Sequence, residues 1–194
     1  RQMCIRDRKG IAHLAEKIAE EYYDLIPKEK RHGKIQINVS TSFFVPKPFT
    51  PFQWCPQMDL SEVTEHIHYL MEQVSHIKGV KVNYHEKFVS LLEAVLTRGD
   101  ESIGRYIEAL YNKGCYLDAW GEYFDKKVWF ETADELDINL NTLAQKQYSL
   151  DEDLPWNFVD IGVSKEWFKE EYKKAFTIDA HSSHIVPTCQ QRCV

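Results

Sequence analysis

Between Lys34 and Trp54 an alternating segment runs directly into a proline-pinned, aromatic-rich loop, and no other stretch restricts the fold as much. Ile35, Ile37 and Val39 alternate with Gln36, Asn38 and Ser40, the period of a strand with one apolar and one polar side. Pro46, Pro48 and Pro51 then remove amide donors and fix φ, so ladder pairing stops after Phe44 and the backbone stays extended. A strand ending this way delivers a loop at its C-terminal end. In parallel barrels that end is the functional mouth.

The flanking segments have the other period. Ile11, Leu14, Ala15, Ile18, Tyr22 and Leu25 recur at three- and four-residue steps, which predicts a helix over Gly10–Ile26 with that stripe buried. Asp59-Leu60-Ser61-Glu62 has capping-box spacing, and Val63, Ile67, Leu70, Met71, Val74 and Ile77 extend a second helix to Ile77. Gly79 closes it, and Val80, Val82 and Tyr84 alternate as a further strand. Both helices are expected on one face of the sheet. Beyond His85 the pattern is helical: Phe88–Thr97, Ser102–Asn112, Lys126–Leu136, Leu140–Gln147 and Ser164–Phe176. Gly99 reads as a helix stop and Asp100 as the next cap. The expected class is α/β over residues 9–85, the end of an open parallel (β/α) barrel, followed by a mostly α-helical region over 86–178 and a Cys/His tail over 179–194.

Residues 1–8 show no apolar period and read as the translation of a sequencing-library adapter, so they are left out of the fold. The chain is accordingly expected to be part of a longer polypeptide. Its 43% hydrophobic and 13% aromatic content suffices for a core. The formal charge of −6 gives no strong nucleic-acid signal, because phosphate tracking scales with Lys and Arg. No apolar run approaches the ~20 residues that cross a bilayer, so a cytoplasmic, non-membrane location is expected. Five cysteines, an odd number with only Cys189 and Cys193 closely spaced, do not make a secreted disulfide framework.

The wording of Asn38–Trp54 resembles the last barrel strand of radical S-adenosylmethionine enzymes. More narrowly, the chain resembles a bacterial family of uncharacterised radical proteins with an upstream cobalamin-binding-type domain. The likeness continues through His85-Glu86, Leu92–Asp100, Trp120, Leu154-Pro155-Trp156 and Gly162–Glu166, covering about Gly10 to Phe176. It implies S-adenosylmethionine and a 4Fe-4S cluster in the parent protein and leaves a cobalamin cofactor open. The cluster motif of three closely spaced cysteines, Cys-x-x-x-Cys-x-x-Cys, does not occur in this chain. The resemblance therefore implies a partner in the upstream remainder of the same polypeptide, and a substrate it does not identify.

Asn38, Ser40 and Ser42 share one face at period two, with Lys47 and Thr50 beyond Pro46. The resemblance places this region near the cofactor's nucleoside and the substrate. The alternative is that Ile35, Ile37 and Val39 face the lumen and the polar set lies under helices. His85, Glu93 and Arg98 form a second candidate group. Glu93 and Arg98 are five apart, off the three- or four-residue spacing of a helical ion pair, so either both reach toward the barrel or Arg98 solvates a helix end. Cys189 and Cys193, preceded by His181 and His184, supply zinc-type ligands in an unusual order and count as two ligands of an incomplete metal or cluster site. Of the five tryptophans, Trp54 is expected to close the mouth loop while Trp120, Trp129, Trp156 and Trp167 pack. Cys55 and Cys115 read as core or loop residues.

These readings make the leading expectation a C-terminal part of a radical S-adenosylmethionine enzyme that contributes mouth and lid residues without the cluster motif. Alternatives are a non-catalytic helical interaction module contacting RNA or ribosomal factors, which clustered Lys and Arg would favour, and a small His/Cys metal-binding protein.

Overall fold

The computed structural model describes residues 5–176, with side chains from Lys9 onward. These residues divide into two compact units. The first takes the chain as far as Phe44 and then Met58–Lys87; the second takes Val45–Gln57 and the chain from Phe88 on.

In the first unit α1 (Ile5–Leu25) and a 3-10 turn (Lys28–Lys30) precede β1 (Ile37–Thr41), followed by α2 (Leu60–Val74) and β2 (Val80–Tyr84). Arg31 caps the end of α1 by donating from Nε to Ile26 O at 2.6 Å, supplying a donor to a carbonyl left over by the helix. Asp59 caps α2, its carboxylate accepting from Ser61 N at 2.7 Å. The strands pair in parallel, Ile37 opposite Val80 through Thr41 opposite Tyr84. Parallel neighbours need a crossover, and α2 lies in it. Ile35, Ile37, Val39, Val80 and Val82 pack against Ala12, Ala15, Ala19, Leu70, Val74 and Ile77, so α1 and α2 serve the apolar face of the sheet, as the alternation predicts.

Two expectations are overturned here. Among the described residues the sheet has two strands of five residues and the remaining architecture is helical, so no barrel end is present. The physical reason is that helices cover one face only: Asn38, Ser40, Lys81 and Asn83 on the other are exposed, whereas strands of a parallel barrel are covered on both sides. The same geometry removes the alternative that the polar set lies under helices. The buried stripe of α1 is also displaced. Alanines 12, 15 and 19 face the core, while Leu14, Ile18 and Leu25 are 60%, 44% and 75% exposed.

The second unit contains α3 (Lys87–Arg98, from Phe88 on), α4 (Ser102–Asn112), α5 (Lys126–Glu135), α6 (Leu140–Gln145) and α7 (Lys165–Phe176). These bounds lie within two residues of those read from periodicity. Helix α4 packs on α5, where Tyr106 Oη donates to Trp129 O at 2.8 Å and the two rings meet edge to face. Gly99 is required at the turn out of α3, since a Cβ there would overlap the side chain of Ile103 and come within 2.9 Å of Val95 O. Asp100 then accepts from Ser102 N at 2.9 Å and starts α4. No described helix is long and apolar enough to cross a membrane.

Gly79 has φ +84°, and a Cβ there would drive into Ile35 O. Gly79→Ala should therefore lose about 1–3 kcal/mol. Gly10→Ala, inside α1 with open space around it, should gain about 0.5–1 kcal/mol. Urea denaturation of both decides, and equal shifts would refute the steric reading. A second expectation concerns pH. The hydrogen bonds to Ser102, side chain first and backbone next, hold the Asp100 carboxyl below its ordinary 3.8. A depressed folded value means that its stabilisation is present above the unfolded value and lost as pH falls through the folded one. Asp100→Ala should thus cost about 0.5–2 kcal/mol at neutral pH, with the gap from the parent closing on acidification below about pH 4.

Candidate functional site

The proline loop folds through a series of turns onto the helical unit. Pro46 is buried; Thr50 Oγ1 donates to Lys47 O at 2.8 Å, Gln53 N to Thr50 O at 3.1 Å and Cys55 N to Phe52 O at 3.0 Å. Phe49 adopts φ 56°, a left-handed conformation costing a non-glycine residue of order 1–3 kcal/mol. Gln53 offsets that cost. Its buried Oε1 accepts from Phe49 N at 3.1 Å and from Trp156 Nε1 at 2.7 Å, so one amide oxygen satisfies two donors. Trp54 is 1% exposed and packs with Tyr148, Leu154, Trp156 and Phe168, which corrects its expected place as a mouth residue.

Arg98 anchors the other side of this core. It is 1% exposed, donating from Nη1 to Ala144 O at 2.8 Å and from Nη2 to Lys146 O at 2.7 Å, with its guanidinium over the Tyr148 ring. Gln57 N donates to the same Ala144 carbonyl at 3.0 Å, and Tyr148 N donates to Trp54 O at 3.0 Å. Arg98 Nε, Trp54 Nε1 and Gln57 Oε1 are buried without a protein hydrogen-bond partner. Burial pushes the guanidinium below its ordinary value against weaker upward pulls from Tyr148 and Cys55. A guanidinium nevertheless stays charged. Arg98 faces no barrel; the helix end that it solvates is that of α6, whose last carbonyls, Ala144 O and that of the C-cap Lys146, it takes up. It fastens the 144–148 segment to the end of α3.

The remaining candidates fall in separate units. Asn38, Ser40, Ser42 and His85 are exposed in the sheet unit, where Asn38 lies opposite Lys81 and Ser40 opposite Asn83. Lys47, Thr50, Glu93 and Arg98 belong to the helical unit. There Lys47 Nζ meets Glu93 Oε1 at 2.6 Å, with side chains 55% and 42% exposed. An ammonium on a rigid loop beside a carboxylate on α3 offers one strong donor and one strong acceptor to a ligand. Solvent weakens the pair's own attraction, so exchange for ligand contacts is inexpensive. Cys189 and Cys193, with His181 and His184, lie outside the described residues.

Sequence reasoning missed Gln53, Gln57 and Tyr148 as supports of this site, whereas Trp156 packs as expected. The usable signal was two glutamines flanking a tryptophan inside a proline loop, since buried aromatics and amides partner one another. Besides Trp54, it also misplaced Trp120 and Trp167, which are 65% and 48% exposed. Cys55 and Cys115 are half-buried, and burial first, then Asp118, pushes the Cys115 thiol up. Among the described residues no group of three or more His, Cys, Asp or Glu could hold a metal ion.

Comparison with known proteins finds an uncharacterized protein of Methanocaldococcus jannaschii, 30% identical over 131 residues that cover 62% of this chain and 28% of that protein. The chain thus spans less than a third of the relative's length. No family model matches the chain, and no solved structure matches it.

Arg98→Lys cannot reproduce two fixed guanidinium bonds, so it should destabilise by about 1–3 kcal/mol, and Arg98→Ala by more, through the cavity and the stranded Lys146 carbonyl. Guanidinium chloride denaturation reads both. Stability equal to the parent in Arg98→Ala would show that the clamp is dispensable.

Proposed function

We propose that the chain is a cluster-free, C-terminal part of a radical S-adenosylmethionine enzyme in which Lys47 and Glu93 contact the substrate or the nucleoside cofactor. The observation carrying this reading is the meeting of two candidates 46 positions apart, one on the proline loop and one on α3, at 2.6 Å on an accessible surface. Further support comes from where the family-like wording falls. Pro46, Trp54, Leu92, Arg98, Leu154 and Trp156 are buried and build the frame behind the pair, while His85, Glu86, Trp120 and Gly162–Ser164, which also carry the resemblance, are exposed.

The described residues do not fit a 4Fe-4S cluster. Such a cluster takes three or four closely placed thiolates, and the described cysteines are Cys55 and Cys115 alone, outside any metal-holding group. No chemical step is therefore assigned to it here. In this proposal the cluster chemistry belongs to the upstream polypeptide, with the use of cobalamin left open, while this chain binds and orients. An ammonium and a carboxylate side by side match a ligand with the opposite pair, such as the α-carboxylate and α-amine of an amino acid.

The test compares the chain alone with a polypeptide extended upstream through a Cys-x-x-x-Cys-x-x-Cys segment, both reconstituted anaerobically with iron and sulfide. The chain alone should bind no four-iron cluster and form no deoxyadenosine from S-adenosylmethionine; the extended protein should do both. In the extended protein Lys47→Ala and Glu93→Ala should each lower kcat/KM about 10- to 100-fold with an unchanged thermal midpoint, as expected of lost positioning. Deoxyadenosine from the chain alone, or wild-type kinetics in both variants, would sink the proposal.

A further inference from the structure

The α4–α5 connection of the helical unit is held in turns, and three of its aromatic side chains are exposed. Tyr116, Trp120 and Tyr123 are 67%, 65% and 57% exposed, and Tyr111 at the end of α4, 63% exposed, touches the Tyr116 ring. The loop is nonetheless held. Trp129 Nε1 donates to Asp118, Phe124 packs on Trp129 at 6.1 Å, and Trp120 N donates to Leu117 O, Tyr123 N to Trp120 O and Phe124 N to Trp120 O. Exposed aromatics on a fixed loop are a preorganised contact surface, since their ordering entropy is already spent.

The charge around them is one-sided. Thirty carboxylates and twenty-four cations are spread over the chain, yet residues 101–137 hold nine of the carboxylates and four of the cations. Gly114–Asp125 contains Asp118, Glu122 and Asp125 and no Lys or Arg. The cations beside the loop are engaged locally: Lys113 with Glu135, Lys127 with Glu131, and Lys126 over the Phe88 ring. Nucleic acid is disfavoured by this field, and so is a second copy of the same acidic face.

We infer that this aromatic and acidic loop is a docking surface for an arginine-bearing basic segment of another protein. Guanidinium planes stack on Trp and Tyr faces and pair with carboxylates in one geometry, whereas an ammonium is more strongly hydrated and does this less well. Selectivity for arginine over lysine therefore distinguishes this surface from a merely acidic one.

The experiment titrates the full chain, at about 150 mM salt where surface charges are screened beyond ~8 Å, with three labelled probes: a twelve-residue peptide of alternating arginine and glycine, its lysine counterpart, and a uridine oligonucleotide. The arginine peptide should bind about five-fold or more tightly than the lysine peptide, and the oligonucleotide should not bind. Trp120→Ala combined with Tyr116→Ser should weaken arginine-peptide binding about ten-fold, and Trp120→Phe should largely restore it when paired with native Tyr116. Glu122→Gln should weaken it about three-fold. Because Trp120 and Tyr116 are exposed, circular dichroism should show these variants folded. Equal affinity for both peptides, binding unchanged in the double variant, preference for the oligonucleotide, or a self-association that the double variant abolishes would each overturn the inference.

Discussion

The frame behind the Lys47–Glu93 pair depends on one buried positive charge satisfied by carbonyl oxygens. Arg98 meets no carboxylate; it donates to Ala144 O and Lys146 O and lies over Tyr148. Removing a guanidinium from water is expensive, and charge-assisted hydrogen bonds worth roughly 1.5–3 kcal/mol each, together with the aromatic face, offset that cost. Ala144 O also accepts Gln57 N–H, and two residues past Lys146 the Tyr148 amide donates to Trp54 O. One short stretch of backbone, 144–148, thereby ties the end of α3 to the end of the proline loop. The separation of Lys47 and Glu93 follows from that tie.

Two loops in this unit share a way of being held. In the proline loop the Gln53 side chain accepts from Trp156 Nε1 and from the strained Phe49 amide; in the α4–α5 loop Asp118 accepts from Trp129 Nε1. In each case a buried or half-buried indole reaches out with its polar edge to a side-chain oxygen on the loop, while its ring packs in the core. Aromatic side chains suit this because one group supplies both a large apolar area and a directional donor. Backbone that would otherwise sample many conformations is fixed without secondary structure.

What could be read from the sequence was the local physics. The caps at Asp59 and Asp100, the stop at Gly99 and the bounds of α3 through α7 follow from side chains acting on their own backbone within a few residues. The β1 alternation also gave the covered face of the sheet. It could not give the number of strands, because period two says that one face is apolar and is silent on what lies beyond either edge. Large residues misled the reading of α1: Leu14 and Ile18 have the greater apolar area, but the smaller Ala12, Ala15 and Ala19 face the core. At the site, Lys47, Glu93 and Arg98 were legible as chemistry, whereas the meeting of the first two and the burial of the third depend on contacts across 46 to 48 positions. Arginine is ordinarily exposed, so composition pointed away from its actual place.

The chain path has a consequence for how the molecule is cut and how it folds. The sheet unit is discontinuous in sequence, since Val45–Gln57, between β1 and α2, takes its conformation from the helical unit. A truncation after Lys87 would keep both strands and both helices yet leave the indole of Trp54 and the amides of Gln53 and Gln57 without Tyr148, Trp156 and Ser90. Neither unit is therefore a modular cassette. Closing contacts that span about a hundred positions carries the entropic cost of a long loop, and high contact order slows folding. During synthesis the sheet unit can form early, but its proline loop must wait for the last third of the chain to emerge before it has a place to pack.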